Sequence, residues 1–273
     1  MHSDDKAIAR RPLDGQIVQK KMLCMTCRQT TEPGKINHVY GGYDWEQKKT
    51  VLQVCPTCST GTARAIQSKK QTELLIQLFG DAGIPWRMGG WSFDSYPVQG
   101  DQEAKARVQA FVQRHLEGDQ YSKRMLYLVG PTGGGKTGLA ISALKAVLHA
   151  GQHGLYVIAA ELFMKLQGCL NRNTDIYEDD LLSAICRIKW LILDDLAVEK
   201  GSAYVMRSLY LIIQKRADLG LYTIITSNLT TTDLEEQWRP SGIEEGCFHD
   251  GVRIVERIRE YAEGCAVTGN VRV

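Results

Sequence analysis

Residues 130–137 read Gly-Pro-Thr-Gly-Gly-Gly-Lys-Thr, set between an apolar run, Met125-Leu126-Tyr127-Leu128-Val129, and a helix-forming stretch that starts at Gly138. A strand that turns through consecutive glycines into a helix makes a concave nest of backbone N–H groups, and the positive end of the helix points into the same space. That construction suits a polyphosphate. Gly130, Pro131, Thr132, Gly133, Gly134 and Gly135 are therefore expected to wrap the phosphates of a nucleoside triphosphate. Lys136 is expected to reach the β- and γ-phosphates, and the Thr137 hydroxyl to sit on Mg2+.

The flanking pattern supports an α/β architecture. Short apolar runs predict strands at 125–129, 154–159, 189–193, 221–226 and 265–268. Amphipathic stretches predict helices at about 136–150, 160–170, 178–187, 202–219, 231–237 and 250–263. Such alternation implies a five-stranded parallel sheet between helices. Two further helices are expected upstream, over 62–80 and 102–117.

Lys189-Trp190-Leu191-Ile192-Leu193-Asp194-Asp195 is an apolar strand that ends in two carboxylates. Beside a phosphate loop, Asp194 is expected to hold Mg2+, and Asp195 to orient and deprotonate the attacking water. The 58 residues from Lys136 to Asp194 leave room for the additional strand at 154–159. Tyr222-Thr223-Ile224-Ile225-Thr226-Ser227-Asn228 ends in hydrogen-bonding residues, placing Asn228 to sense the γ-phosphate or align water. Arg253 and Arg257 share a helix face. An arginine delivered to a neighbouring subunit's γ-phosphate contributes roughly 10³–10⁵ in rate. A solvated face paired with Glu256 and Glu260 is the competing reading, and for Arg257 both stay open.

Cys24-Met-Thr-Cys27 and Cys55-Pro-Thr-Cys58 have the spacing with which two knuckles aim four thiolates at one Zn2+, a closed structural site. Metal binding worth about 10–16 kcal/mol would supply the stability that so small a module lacks. Cys169, Cys186, Cys247 and Cys265 lack such spacing and are expected to be buried free thiols. The chain thus divides into a flexible arm (1–20), a four-cysteine zinc-ribbon-like domain (21–62), linker helices (63–120) and a nucleotide-binding domain (121–273).

The formal net charge of +2 is too small to argue for nucleic acid, although residues 1–80 carry twelve Lys and Arg against seven Asp and Glu. Lys20-Lys21, Lys48-Lys49 and Lys69-Lys70, with Tyr40, Tyr43 and Trp45 between, would suit single strands by charge and stacking, or form solvated turns. The first twenty residues hold no apolar signal segment, and no run approaches the roughly 18 apolar residues of a membrane span. A cytoplasmic protein without a membrane partner is expected.

From Ala82 onward the chain resembles the AAA+ ATPases of the DnaC/DnaI helicase-loader and IstB transposition-helper group. The resemblance rests on AGIPWRMGGWSFDSY, GPTGGGKT, WLILDDLAVEK, TIITSNLTTTDLEE and RIVERIRE, in that family's order and spacing. It implies a P-loop AAA+ domain using ATP, and a helicase loader that binds the replicative DNA helicase and single-stranded DNA. It also implies slow ATP hydrolysis, self-association through an arginine finger at Arg257, and a stretch from Phe93 to Tyr96 near the adenine. A transposition helper on duplex DNA and a nucleotide-gated zinc-ribbon adaptor without essential hydrolysis are the alternatives. Two departures stand out. Asp194-Asp195 replaces the Asp-Glu of many AAA+ proteins, and the closing Gly269-Asn270-Val271-Arg272 is shorter than the family's Gly-x-x-x-Arg, which leaves a second sensor role for Arg272 open.

Overall fold

The computed structural model describes residues 69–80, 82–169, 177–196, 202–238, 245–269 and 271, with the side chains of 245–250 outside the description. It also describes four two-residue strands nearer the N-terminus. The chain separates into two units, Met1–Lys69 and Lys70–Val273. In the first, Met22–Leu23 pairs antiparallel with Thr30–Thr31, and Tyr43–Asp44 with Lys49–Thr50. Cys24, Cys27, Cys55 and Cys58 lie outside the described residues, as does Arg272.

From residue 69 onward the helices are α1 (69–79), α2 (Gln102–Leu116), α3 (Lys136–His149), α4 (Ala159–Cys169), α5 (Glu178–Arg187), α6 (Ala203–Asp218), α7 (Thr231–Gln237) and α8 (Glu245–Tyr261). The strands are β1 (Met125–Val129), β2 (Gly154–Ile158), β3 (Trp190–Asp194), β4 (Tyr222–Ser227) and β5 (Ala262–Ala266). They form one parallel sheet in the order β2-β3-β4-β1-β5. The P-loop AAA+ fold expected from the sequence is thus present.

Alternation along the strands divides the core. Leu126, Leu128, Tyr156, Trp190, Ile192 and Ile224 pack with α2 and α3 on one face. Met125, Tyr127, Leu155, Val157, Leu191, Leu193 and Ile225 pack with α4, α5, α6 and α8 on the other. Local signals set the helix ends. Asp101 caps α2 by accepting from the Ala104 N–H, Ser202 caps α6 through Val205, and Thr230 with Asp233 forms a capping box on α7.

Two boundaries differ from expectation. The last strand spans 262–266 rather than 265–268, directly after a helix that starts at 245 rather than 250. Its residues, Ala-Glu-Gly-Cys-Ala, lack the branched apolar run that marks a strand. Pairing to β1, from Met125 opposite Ala262 to Val129 opposite Ala266, imposes the extended conformation. Lys123 Nζ closes the helix end by donating to the Arg259 and Ala262 carbonyls.

Arg216 on α6 is fully buried. Its guanidinium donates to the Ile185, Ile188 and Tyr222 carbonyls and to Thr223 Oγ1 at 2.6–2.9 Å, so one side chain ties the end of α5 to the start of β4. Burial lowers its pKa. Among the described residues no helix is long and apolar enough to cross a membrane.

Candidate nucleotide site

Strands β1, β4 and β3 are neighbours in the sheet although β2 intervenes in the chain. Their parallel register, with Val129 opposite Ser227 and Leu193 opposite Ile225, delivers three C-terminal ends to one edge. There the phosphate loop leaves β1, Asn228 leaves β4, and Asp194 ends β3 with Asp195 just beyond it. This edge, where the chain crosses over the sheet, is where open α/β sheets bind ligands.

The loop's glycines answer to geometry. A Cβ on Gly130 would lie 2.0 Å from the Val267 carbonyl oxygen. Gly133 and Gly135 have φ of 83° and 99°, where a side chain is strained. Gly135 caps α3 without any side-chain hydrogen bond, and the first turn carries no acid. The N–H groups at that helix end are therefore left for an anion. Lys136 is buried, and its Nζ donates to the Gly130 carbonyl (2.8 Å), the Pro131 carbonyl (2.9 Å) and Asn228 Oδ1 (2.7 Å). Burial lowers its pKa, and Asp195 and Asp194 oppose that shift. The lysine is thus held over the nest by three neutral acceptors that a phosphate could replace.

Thr137 Oγ1 donates to Asp194 Oδ1 at 3.0 Å and lies 3.2 Å from Oδ2. A hydroxyl and one carboxylate beside a phosphate site suit Mg2+, which keeps waters and takes phosphate oxygens for the rest of its shell. Asp195 is exposed, with φ of 57° held by its own N–H donating to Thr226 Oγ1 at 2.9 Å. Desolvation of its carboxyl by the neighbouring loop and strand ends, and the charge of Asp194, raise its pKa, opposed by Lys136. A carboxylate so placed can accept a proton from water.

A cavity of about 440 Å³ opens beside the loop, lined by Trp91, Ser95, Tyr96, Pro97, Gly135 and Val271 among others. Tyr96 and Ser95 thus line it, while Phe93 packs against the core beneath. The tail after β5 returns over the loop, with the Val271 N–H donating to the Gly133 carbonyl at 3.0 Å. Arg257 is not among the side chains drawn to this site. It donates to Glu260 Oε2 at 2.6 Å on α8 and lies over the Tyr261 ring. Arg253 lies over Tyr210. Cys186 and Cys265 are buried free thiols, whereas Cys169 is only half-buried near the end of α4. Among the described residues no group of three or more His, Cys, Asp or Glu converges on a metal position.

Sequence reasoning missed Tyr156, whose hydroxyl donates to Asp194 Oδ2 at 2.7 Å, and it did not single out Thr226, which donates to Oδ1 at 2.6 Å. A tyrosine in an apolar strand reads as core. Its partner is 38 residues away, so no local pattern exposes the pair.

The fold and these side chains define a P-loop nucleotide-binding domain of the AAA+ class. Residues 111–242 match the family described as IstB-like ATP binding protein. The chain is 23% identical over 170 residues to the replicative helicase loader DnaC of Buchnera aphidicola subsp. Baizongia pistaciae, covering 62% of this chain and 68% of that protein. It is 25% identical over 168 residues to the DnaC of the Acyrthosiphon pisum subspecies, with the same coverage. Among solved structures it is similar to DnaI (26% identity, TM-score 0.58, covering 68% of this chain and 95% of that one). The DnaC helicase loader shares the fold at 22% identity and TM-score 0.52, covering 67% of this chain and 99% of that one.

Proposed function

We propose that this protein is an ATP-driven loader of a replicative DNA helicase, acting in the cytoplasm. The observation that carries the reading is the joining of Lys136 to Asn228 and of Thr137 to Asp194 at one sheet edge. That edge lies in a domain similar to proteins named replicative helicase loaders. Lys136 exchanges its loop carbonyls for the β- and γ-phosphates, and Asn228, already bonded to it, registers whether the γ-phosphate is present. Thr137 and Asp194 hold Mg2+, which when bound neutralises phosphate charge. Asp195 takes the proton of the attacking water, while Arg257 of a neighbouring copy exchanges Glu260 for transition-state charge.

The four N-terminal cysteines hold a structural Zn2+, and that domain grips the helicase while the AAA+ domain engages single-stranded DNA. The antiparallel pairing of Met22–Leu23 with Thr30–Thr31 brackets Cys24 and Cys27 in sequence, in keeping with a zinc knuckle. One Zn2+ per chain, lost when Cys24 and Cys55 become serine, is the expected metal content.

The test is to trap the Asp195→Asn variant with ATP and capture it with purified replicative helicase and with single- or double-stranded DNA. Stable helicase binding by the trapped variant is expected, together with stimulation of wild-type ATP hydrolysis by single strands. No helicase binding, with stimulation or filaments only on duplex, would replace this reading with a transposition helper. The IstB description of the matched family favours that second reading.

A further inference from the structure

The pleat places Tyr156, Asp194 and Thr226 on the sheet face covered by α3, the helix that carries Thr137. Ile158 lies opposite Asp194, so Tyr156 sits one side-chain repeat, roughly 6.6 Å, back along the edge strand. A phenol spans that distance. Three hydroxyls therefore converge on one carboxylate that is itself buried, at 4% exposure. Tyr156 is 2% exposed and gripped by the core, and its backbone N–H donates to the Ala82 carbonyl, so the ring cannot follow a carboxylate that turns away.

We infer that Tyr156 and Thr226 are positioning residues for Mg2+: they clamp the Asp194 carboxylate so that its remaining acceptor directions face Thr137 and the metal. This rests on the nucleotide reading above and deepens it. A carboxylate offers about four lone-pair directions. Tyr156 occupies one on Oδ2 and Thr226 one on Oδ1, which removes the rotation that would carry the rest away from the loop. Thr226 has a second duty, because the oxygen that donates to Asp194 also accepts from the Asp195 N–H. One hydroxyl thus holds the Asp194 carboxylate and the Asp195 backbone at once, and does so from the strand that leads into Asn228.

The experiment is a titration of Mg2+ into the full-length protein with a fluorescent ATP analogue, reading nucleotide binding without Mg2+ and at rising Mg2+. Tyr156→Phe is expected to raise the Mg2+ concentration for half-maximal enhancement about tenfold, the cost seen when a metal ligand loses its outer partner. Its Mg2+-free affinity should move by less than about twofold, the separation expected if only the metal ligand is affected. Thr226→Val should move the Mg2+ dependence in the same direction, and Thr226→Ser should restore it. A Tyr156→Phe protein whose Mg2+ dependence matches wild type overturns the clamp, as does one whose Mg2+-free and Mg2+-dependent binding fall together. Should Tyr156→Phe fail to fold, the Thr226 pair decides by the same criteria. A wild-type protein that binds no nucleotide under either condition refutes the nucleotide reading itself, which separates that failure from failure of the clamp.

Discussion

Gly135→Ala tests whether the phosphate loop has the shape that the site requires. Residue 135 has φ of 99°, and its added Cβ would lie 2.5 Å from Tyr96 Oη and 3.1 Å from two ring carbons. The left-handed backbone alone costs a non-glycine residue roughly 1–2 kcal/mol. Tyr96 is buried against Gly100, whose own missing Cβ is 2.5 Å from the same ring, so the ring can retreat only toward the nucleotide cavity. Overpacking of this kind costs a further 1–3 kcal/mol or so. A total near 3 kcal/mol lowers the thermal midpoint by roughly 6–12 °C in a unit of this size. Because the displaced ring enters the cavity, affinity for a fluorescent ATP analogue should fall at least about tenfold, equivalent to some 1.4 kcal/mol. Gly134→Ala is the internal control. Its φ is not in the left-handed range and its nearest contact is 3.0 Å from the Pro131 oxygen, so it should cost less than half as much. Scanning calorimetry of nucleotide-free full-length protein gives the first number and an equilibrium titration the second. A Gly135→Ala protein that melts within 2 °C or so of wild type and binds normally would refute the reasoning, since that range is worth under about 1 kcal/mol.

Arg216→Met should be among the most destabilising single changes. It strips donors from two buried carbonyls and one half-buried one at about 1–3 kcal/mol each, and removal of a desolvated charge offsets only part, leaving roughly 3 kcal/mol or more by thermal melting. The acid limb of kcat/KM against pH should lie above the ordinary aspartate value of 3.8, because Asp195 must be ionised to accept a proton and its pKa is raised. An acid limb at the ordinary value would remove Asp195 from that role. Asp101→Ala should cost about 1–2 kcal/mol, since it removes both the α2 cap and the bonds to Thr268. The folded-state pKa of Asp101 is lowered, so its contribution is complete above its ordinary value of 3.8 and disappears as pH falls below that through the folded-state value. The wild-type and variant melting temperatures should therefore converge only in strong acid.

How far the site is legible in sequence depends on how local each part is. The phosphate loop, the strand before it and the helix after it are contiguous, and their glycines, lysine and threonine declare the nest without any tertiary information. Asp194 and Asn228 are legible because each ends an apolar run, and in a parallel sheet the ends of such runs share an edge. Strand β5 begins three residues earlier than the sequence suggests because its small residues carry no apolar period, and only its ladder with β1 makes it a strand. Tyr156 and Thr226 are invisible in sequence as partners of Asp194 because a hydroxyl in a buried strand has the same signature whether it meets a carboxylate or a carbonyl.

The sequence by itself determined that a polyphosphate nest precedes a helix, that parallel strands alternate with helices around it, and that two acids close one of those strands. Periodicity, glycine and capping residues act over a few neighbours, and so they can be read in order along the chain. The tertiary structure alone decided which strands are adjacent, and with it that Lys136 meets Asn228 and that Asp194 is held by hydroxyls from α3, β2 and β4. Those contacts join residues 32 to 92 positions apart in the chain, and no local propensity encodes them. They exist because burying both faces of the sheet fixes the strand order, and the strand order brings the polar ends of the strands together.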